Sequence, residues 1–434
     1  MIEPEELEER HSWRRWVGLA AVDITPLRRH RDFRLLFIGR VVSFLGTMIT
    51  SVAIPYQVYQ LTHSSLAVGI ISGLEIIPIL GLAFLGGALA DARDRRRMVQ
   101  LTELALACVS ALLVANALLP LPKLYVLYGA AVVMAGLDAI QTPSLSAMLP
   151  RLVDRDELTA AGAIASLRTT IGMILGPAIG GILVATIGLA GTYSVDVTTF
   201  AVSLVALWLM KAIPPPPDAE RPSLGRIVEG LRYAWSRPEL MGTYLVDMVA
   251  MFFGMPMALF PAIAVRFGGP SVLGLLLAAP AVGSFVAITT SGWSNRIHRH
   301  GLAIIIAAAF WGAAIILFGF ASSLPLALLF LAIAGAADML SGVFRQAIWN
   351  QTIPDSLRGR LAGIEMISYS SGPTLGNLEA GAVASIFSVR AAVVSGGVLC
   401  VFGVGLLAVL LPAFVKYNNK RQIVHATGPT DGVA

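Results

Sequence analysis

The sequence predicts an all-α polytopic membrane protein, built from twelve transmembrane helices in two six-helix pseudo-symmetric bundles. Composition, the spacing of apolar runs and a weak internal repeat carry that expectation. Of 434 residues, 56% are hydrophobic and 13% charged, whereas soluble domains carry about 25% charge. A soluble interior could not hide so much apolar surface; a lipid-embedded chain does not have to. Long apolar runs recur from Phe33 to Phe414, each near the roughly 20 residues that cross a bilayer as helix. The repeat becomes visible once the spans are laid out.

The chain opens on a charged segment, 1–32, holding only the short apolar run "WVGLAAV". No cleavable signal peptide is expected, and the first span acts as its own insertion signal. Six spans follow at 34–60, 66–90, 97–119, 123–149, 157–187 and 189–211, forming an N-terminal bundle over 33–211. Four consecutive prolines at 214–217 then leave the membrane as extended chain, opening a cytoplasmic linker over 212–238. Its polar, amphipathic remainder suits the membrane surface. Six more spans, at 239–264, 271–294, 301–321, 325–353, 360–387 and 390–415, make the C-terminal bundle over 239–415, before a tail at 416–434.

Orientation follows from the basic residues. With the N-terminus in the cytoplasm, Arg40, Arg168 and Arg345 lie inside spans, and outer loops carry only Lys123, Arg266 and Arg390. All other Lys and Arg lie on the inner side, which is the positive-inside rule with both termini cytoplasmic. The expected location is the cell (inner) membrane, with the lipid bilayer as partner. The net charge of +5 is therefore topology, and no nucleic-acid partner is expected. Cys108 and Cys400 lie in opposite halves and suggest neither a metal site nor a disulfide.

The halves repeat at an offset near 200 residues. "LTAAGAIAS" (158–166) faces "GRLAGIEMI" (359–367), Asp138 faces Asp338, and Pro55 faces Pro261. The glycine-rich exits "GGALAD" (86–91) and "TSGWSN" (290–295) match as well. Transporters are built from such repeats about an axis normal to the membrane.

Two motifs carry a family resemblance. "GALADARDRRR" (87–97) resembles the signature between helices 2 and 3 of the major facilitator superfamily. Gly87, Leu89, Asp91, Arg95 and Arg96 match it, while Ala92 replaces a usual Arg and Asp94 a usual Gly. The resemblance implies a contact that locks one conformation of two rocking halves. Glycine admits a close neighbour, and Asp91 can hold basic or backbone donors. "GMILGPAIGG" (172–181) resembles the antiporter signature of helix 5 through Gly172, Gly176, Pro177, Gly180 and Gly181. Glycines four apart make a flat face for a neighbouring backbone, and proline adds a kink. The physics is that of any small-residue packing face; only the resemblance implies export. "HRDFRLLFIGRVVSFLG", "IPPPP" followed by "GLRYAWSRPEL", and "NQTIPDSLRGRLAGI" extend the likeness to the enterobactin (siderophore) exporter and macrolide efflux branch.

Ionisable groups inside a bilayer cost about 2.5–3.5 kcal/mol each on insertion scales, so each is a functional candidate. At ~1.5 Å rise per residue, Arg40 and Asp138 share a depth toward the inner side, which suggests an ion pair. Asp338 and Arg345, seven apart, fall on one helix face. The superfamily resemblance turns Asp247 to the same central cavity, and Glu75 and Glu365 complete the substrate- or proton-coupling candidates. Glu103, Asp196 and Glu379, nearer span ends, are expected to snorkel to the interface. Asp138 and Asp338 serve either transport or a purely structural ion pair. A carboxylate that loads and releases a proton out of water is what proton antiport requires.

A membrane enzyme would need a nucleophile–base set or metal ligands at depth. All six histidines (His11, His30, His63, His298, His300, His425) fall in tails or loops. No HExxH, GxSxG or GxxxxGK[ST] occurs, leaving zinc chemistry, a hydrolase elbow and ATP drive without support. Catalytic residues, metals and cofactors are not expected, the energy source being a proton gradient. Composition alone leaves a channel or receptor open; the repeat and the two signatures favour a secondary transporter, acting as a monomer. Its substrate is a siderophore, a bulky amphipathic drug or a lysophospholipid.

Overall fold

The computed structural model describes residues 23–92, 94–213 and 232–418, except for the side chains at 83–92 and at ten positions between 355 and 367. Among the described residues there is no strand. The helices are α1 (Arg31–Thr62), α2 (Ser65–Ala92), α3 (Arg95–Ala117) and α4 (Leu124–Leu152). Next comes a continuous run, Leu158–Trp208, interrupted by Gly188 at φ 71° and ψ −179°. Only glycine takes that backbone readily. It divides the run into two arms, α5 (158–187) and α6 (189–208). The remaining long helices are α7 (Pro238–Phe267), α8 (Pro270–Thr289), α9 (His300–Gly319), α10 (Leu324–Thr352), α11 (Asp355–Ile386) and α12 (Val389–Leu410).

Ten of these runs are long and apolar enough to cross a membrane, with α5 and α6 forming one of them. Large apolar side chains such as Ile77, Leu101, Trp208, Phe310 and Phe402 lie exposed on the outside. Water would penalise such a surface, whereas lipid accepts it.

Two details depart from the expected spans. α7 is broken: Pro238–Phe253 ends at Gly254, and Met257–Leu259 forms a 3-10 turn before Phe260–Phe267. Pro256 lacks the N–H that would continue the helix, and the freed Ala258 N–H donates to Asn377 Oδ1 on α11 at 3.0 Å. α8 stops at Thr289, and Ser291–Arg296 is a 3-10 segment with no buried residue. The proline-rich stretch at 214–217 lies outside the described residues.

Packing repeats along the chain. α1 packs on both arms of Leu158–Trp208, α2 on α4, and α3 on α4. Later, α7 packs on α11, α8 on α10, α9 on α10, and α9 on α12. α2 joins α11, and α5 joins α8, across these groups. The crossings named by their glycines lie toward one end. A β-carbon at Gly69 would sit 2.6 Å from the Asn377 carbonyl oxygen, and one at Gly381 would sit 2.8 Å from that of Ser65. That end also holds the turn after α1, closed by His63 in the left-handed region at φ 49°, and the two-glycine turn before α8. The basic residues Arg95, Arg96, Arg97, Arg151, Arg155, Arg296 and Arg299 lie at the other end.

Candidate functional site

A cavity of about 510 Å³ opens among α1, α2 and α4, with Tyr369 and Ser370 of α11 closing one side. Arg40, Phe44, Glu75, Asp138 and Gln141 line it. Arg40 pairs through Nη1 with Glu103 Oε1 of α3. The same nitrogen donates to Gln141 Oε1 at 2.9 Å. Gln141 Nε2 donates to Thr102 Oγ1 at 3.0 Å and to Glu103 Oε1 at 3.3 Å, and Ser43 Oγ donates to Glu103 at 3.3 Å.

This corrects two expectations. Arg40 pairs with Glu103, whereas Asp138 has no hydrogen bond or ion pair among the described residues. It feels the Arg40 charge yet stands exposed to the cavity. Equal depth does not fix rotation about the helix axis, and rotation decided the partner. Nor does Glu103 snorkel, being fully buried. Asp196 is buried as well, accepting from Thr50 Oγ1 and Ser110 Oγ at 2.7 Å each. Hydroxyls on α1 and α3 offered it a nearer solution than the interface. Glu379 is half-buried and has no ion pair among the described residues.

A smaller cavity of about 230 Å³ lies among α7, α10 and α11, lined by Asp247, Arg345, Trp349, Glu365 and Tyr369. Arg345 pairs through Nη1 with Asp247 Oδ1, and its Nη2 donates to Asp338 Oδ1 at 3.4 Å. The structure therefore brings Asp247, Asp338 and Arg345 together, two of them on one face of α10. Glu365 feels the Arg345 charge without an ion pair. Trp349 Nε1 donates to Thr243 Oγ1 at 2.9 Å and stacks on Tyr244. Tyr369 borders both cavities. Sequence reasoning missed Gln141, Ser43 and Tyr369. Gln141 had a signal, as a polar residue one turn beyond Asp138 in an apolar helix.

The motif glycines divide their work. β-carbons at Gly172 and Gly176 would collide with the Phe44 ring and the Met48 side chain of α1. One at Gly180 would lie 3.0 Å from the Ile49 Cα. Gly181 instead faces α8, where its β-carbon would lie 2.5 Å from the Pro270 carbonyl oxygen and 3.0 Å from Gly274 Cα. Gly274 in turn abuts the Pro177 carbonyl. Two adjacent faces of α5 thus serve α1 and α8.

At the basic end, Arg95 Nη1 donates to the Ala147 carbonyl on α4 at 3.1 Å. Arg96 Nε and Nη2 donate to the Leu207 and Trp208 carbonyls at 2.7 and 2.8 Å. Arg96 thus satisfies carbonyls at the end of α6, where the helix dipole is negative. Asp94, the departure from the signature, caps α3 by accepting from Arg97 N at 3.0 Å. Gly87 and Asp91 fall in the last turns of α2, and their surroundings lie outside the described residues.

Residues 21–429 match the family described as transmembrane secretion effector. The chain belongs to this family, a branch of the major facilitator superfamily. It is a membrane transporter and not an enzyme. Relatives along nearly its whole length agree. The enterobactin exporter EntS of Citrobacter koseri is 29% identical over 404 residues, covering 93% of this chain and 95% of the relative. EntS of Escherichia coli O157:H7 is 29% identical over 413 residues, covering 95% and 98%. In fold, the chain resembles a bacterial homologue of the human lysosomal transporter Spinster, captured inward-facing and unoccupied. The TM-score is 0.68 at 17% identity, covering 92% of this chain and 98% of that one. A POT family transporter in complex with 5-aminolevulinic acid gives a TM-score of 0.71 at 13% identity, covering 89% and 97%.

Proposed function

We propose that this protein is a secondary active exporter of the inner membrane. It would exchange a cytoplasmic small molecule, most simply an enterobactin-like siderophore, for entering protons by alternating access. Twelve spans would form two six-helix bundles, α1–α6 and α7–α12, in a monomer with both termini in the cytoplasm. The repeated packing pattern and the halving of Leu158–Trp208 at Gly188 support that count. Under this orientation the arginine-rich end faces the cytoplasm. The α2–α11 and α5–α8 glycine contacts then close the outer end, so the conformation is inward-open.

The observation that carries proton coupling is the pair of carboxylates, Glu75 and Asp138, that line the larger cavity with no hydrogen bond or ion pair among the described residues. Neither is spent on holding the fold. The siderophore reading rests on the 29% identity to enterobactin exporters over nearly the whole chain. The experiment uses everted vesicles, which should take up enterobactin when a proton gradient, acid inside, is imposed. Collapsing the gradient should stop uptake. Uptake that needs sodium or ATP and ignores the proton gradient would sink the coupling.

A second reading is macrolide or multidrug efflux. Free carboxylates in a largely apolar cavity also suit a bulky amphipathic cation. A deletion strain separates the two: loss of siderophore secretion supports the first, and macrolide sensitivity with normal secretion supports the second. A receptor or channel would show neither uphill movement nor gradient dependence.

A further inference from the structure

We propose that Arg168, seated against the Phe44 ring, is an oxyanion subsite for the transported molecule. The substrate class is then an organic acid bearing a carboxylate beside an aromatic or similarly flat group. This rests on the transporter reading and adds a residue and a charge requirement to it.

Of the three arginines deep within predicted spans, Arg40, Arg168 and Arg345, two are matched. Arg40 has Glu103 and Gln141; Arg345 has Asp247 and Asp338. Arg168 has no ion pair and no hydrogen bond among the described residues, and its Nε, like those of Arg40 and Arg345, is buried without an acceptor. The charge that bears on it is like-signed, from Arg40. An isolated cation in a bilayer is costly, and no ion pair among the described residues offsets this one.

What the chain does provide is an aromatic face. Arg168 Cζ lies 5.7 Å from the centroid of the Phe44 ring, within cation–π reach. That ring lines the larger cavity, and the guanidinium sits against it without itself being among the cavity's lining residues. Gly172, one turn along α5, accepts the edge of the same ring. A side chain there would push Phe44 off its seat, so α5 supplies both the cation and the notch that fixes the ring beside it. A guanidinium presents a planar fork of donors that suits a carboxylate in two-point contact. The Phe44 ring beside it suits a flat substrate group.

The competing account makes Arg168 a counter-ion for the free Asp138 in another conformation. The two accounts separate on purified protein in nanodiscs, using 2,3-dihydroxybenzoylserine and its neutral serinamide as probes. Wild type should bind the carboxylate at least about tenfold more tightly than the amide, as charge-assisted contacts predict. Arg168→Gln should abolish that preference while leaving amide binding unchanged. Its thermal midpoint should stay level or rise, because an unmatched cation has been removed. Arg168→Lys should keep part of the preference, having the charge without the fork. Equal binding of both probes by wild type, binding of neither, or a preference that survives Arg168→Gln would overturn the proposal. So would a parallel loss of both affinities and of melting temperature, or rescue of Arg168→Gln by Asp138→Asn, since those mark a structural counter-ion. Binding does not depend on the direction or energy source of transport, so failure of the vesicle assay is a separate result.

Discussion

The first six helices and the last six treat their membrane-embedded charges differently. α4 and α10 carry Asp138 and Asp338 at corresponding places in the repeat. Seven residues on, α10 has Arg345, which holds Asp338 and also Asp247. Seven residues on from Asp138, α4 has Leu145. In the first half the arginine comes from α1 instead, and Glu103 takes it. Glu75 and Asp138 are left facing the larger cavity, each without a partner among the described residues. One duplicated framework thus holds an arginine-bound acidic pair, Asp247 and Asp338, in one half and, among the described residues, the unpaired cavity carboxylates Glu75 and Asp138 in the other. We assign the first to holding the fold and the second to moving protons.

The largest expected effect would break this comparison at its matched charges. Glu103→Gln leaves Arg40 buried without its counter-ion, which costs about 3–5 kcal/mol. Asp247→Asn should cost a similar amount through Arg345. Thermal unfolding followed by size-exclusion chromatography should show both variants melting early, whereas Glu75→Gln melts like wild type. A Glu75→Gln protein as unstable as Glu103→Gln would erase the distinction.

Next in size are the glycines of α5. Gly181→Leu places a side chain where α5 meets α8, and overpacking of this kind costs about 1–3 kcal/mol. Transport should stop while the protein still inserts, because the outer end can no longer close. Gly176→Leu strikes α1 within the first half, so it should lower stability more and alter conformational exchange less. Cysteine-accessibility labelling at the outer end reads the contrast, and identical labelling of the two variants would contradict it.

Arg96→Gln is the smallest. Losing a cation at the end of α6 costs about 0.3–1 kcal/mol, visible as a slight fall in melting temperature with the fold intact. A collapse of expression would show that the signature arginine does more than cap a helix.

Much of the architecture was legible in the sequence because lipid imposes a simple rule: apolar runs of a fixed length. The close-packing role of Gly172, Gly176, Gly180 and Gly181 was legible for the same reason, since small side chains alone admit a neighbour so near. The division of those glycines between α1 and α8 was not. The break in α7 at Gly254–Pro256 escaped because its composition stays apolar throughout. Charge pairing was the least legible. Sequence position gives depth through the helical rise, but Arg40 chose between Glu103 and Asp138 by rotation and tilt. Those are set by how α1, α3 and α4 pack together.

The central claim is that Asp138 is free to carry protons because Glu103 relieves it of Arg40. Asp138→Asn, reconstituted in proteoliposomes under an imposed proton gradient, tests it most directly. The account predicts a wild-type melting temperature, retained enterobactin binding and loss of uphill export. Full gradient-driven export by Asp138→Asn would contradict it.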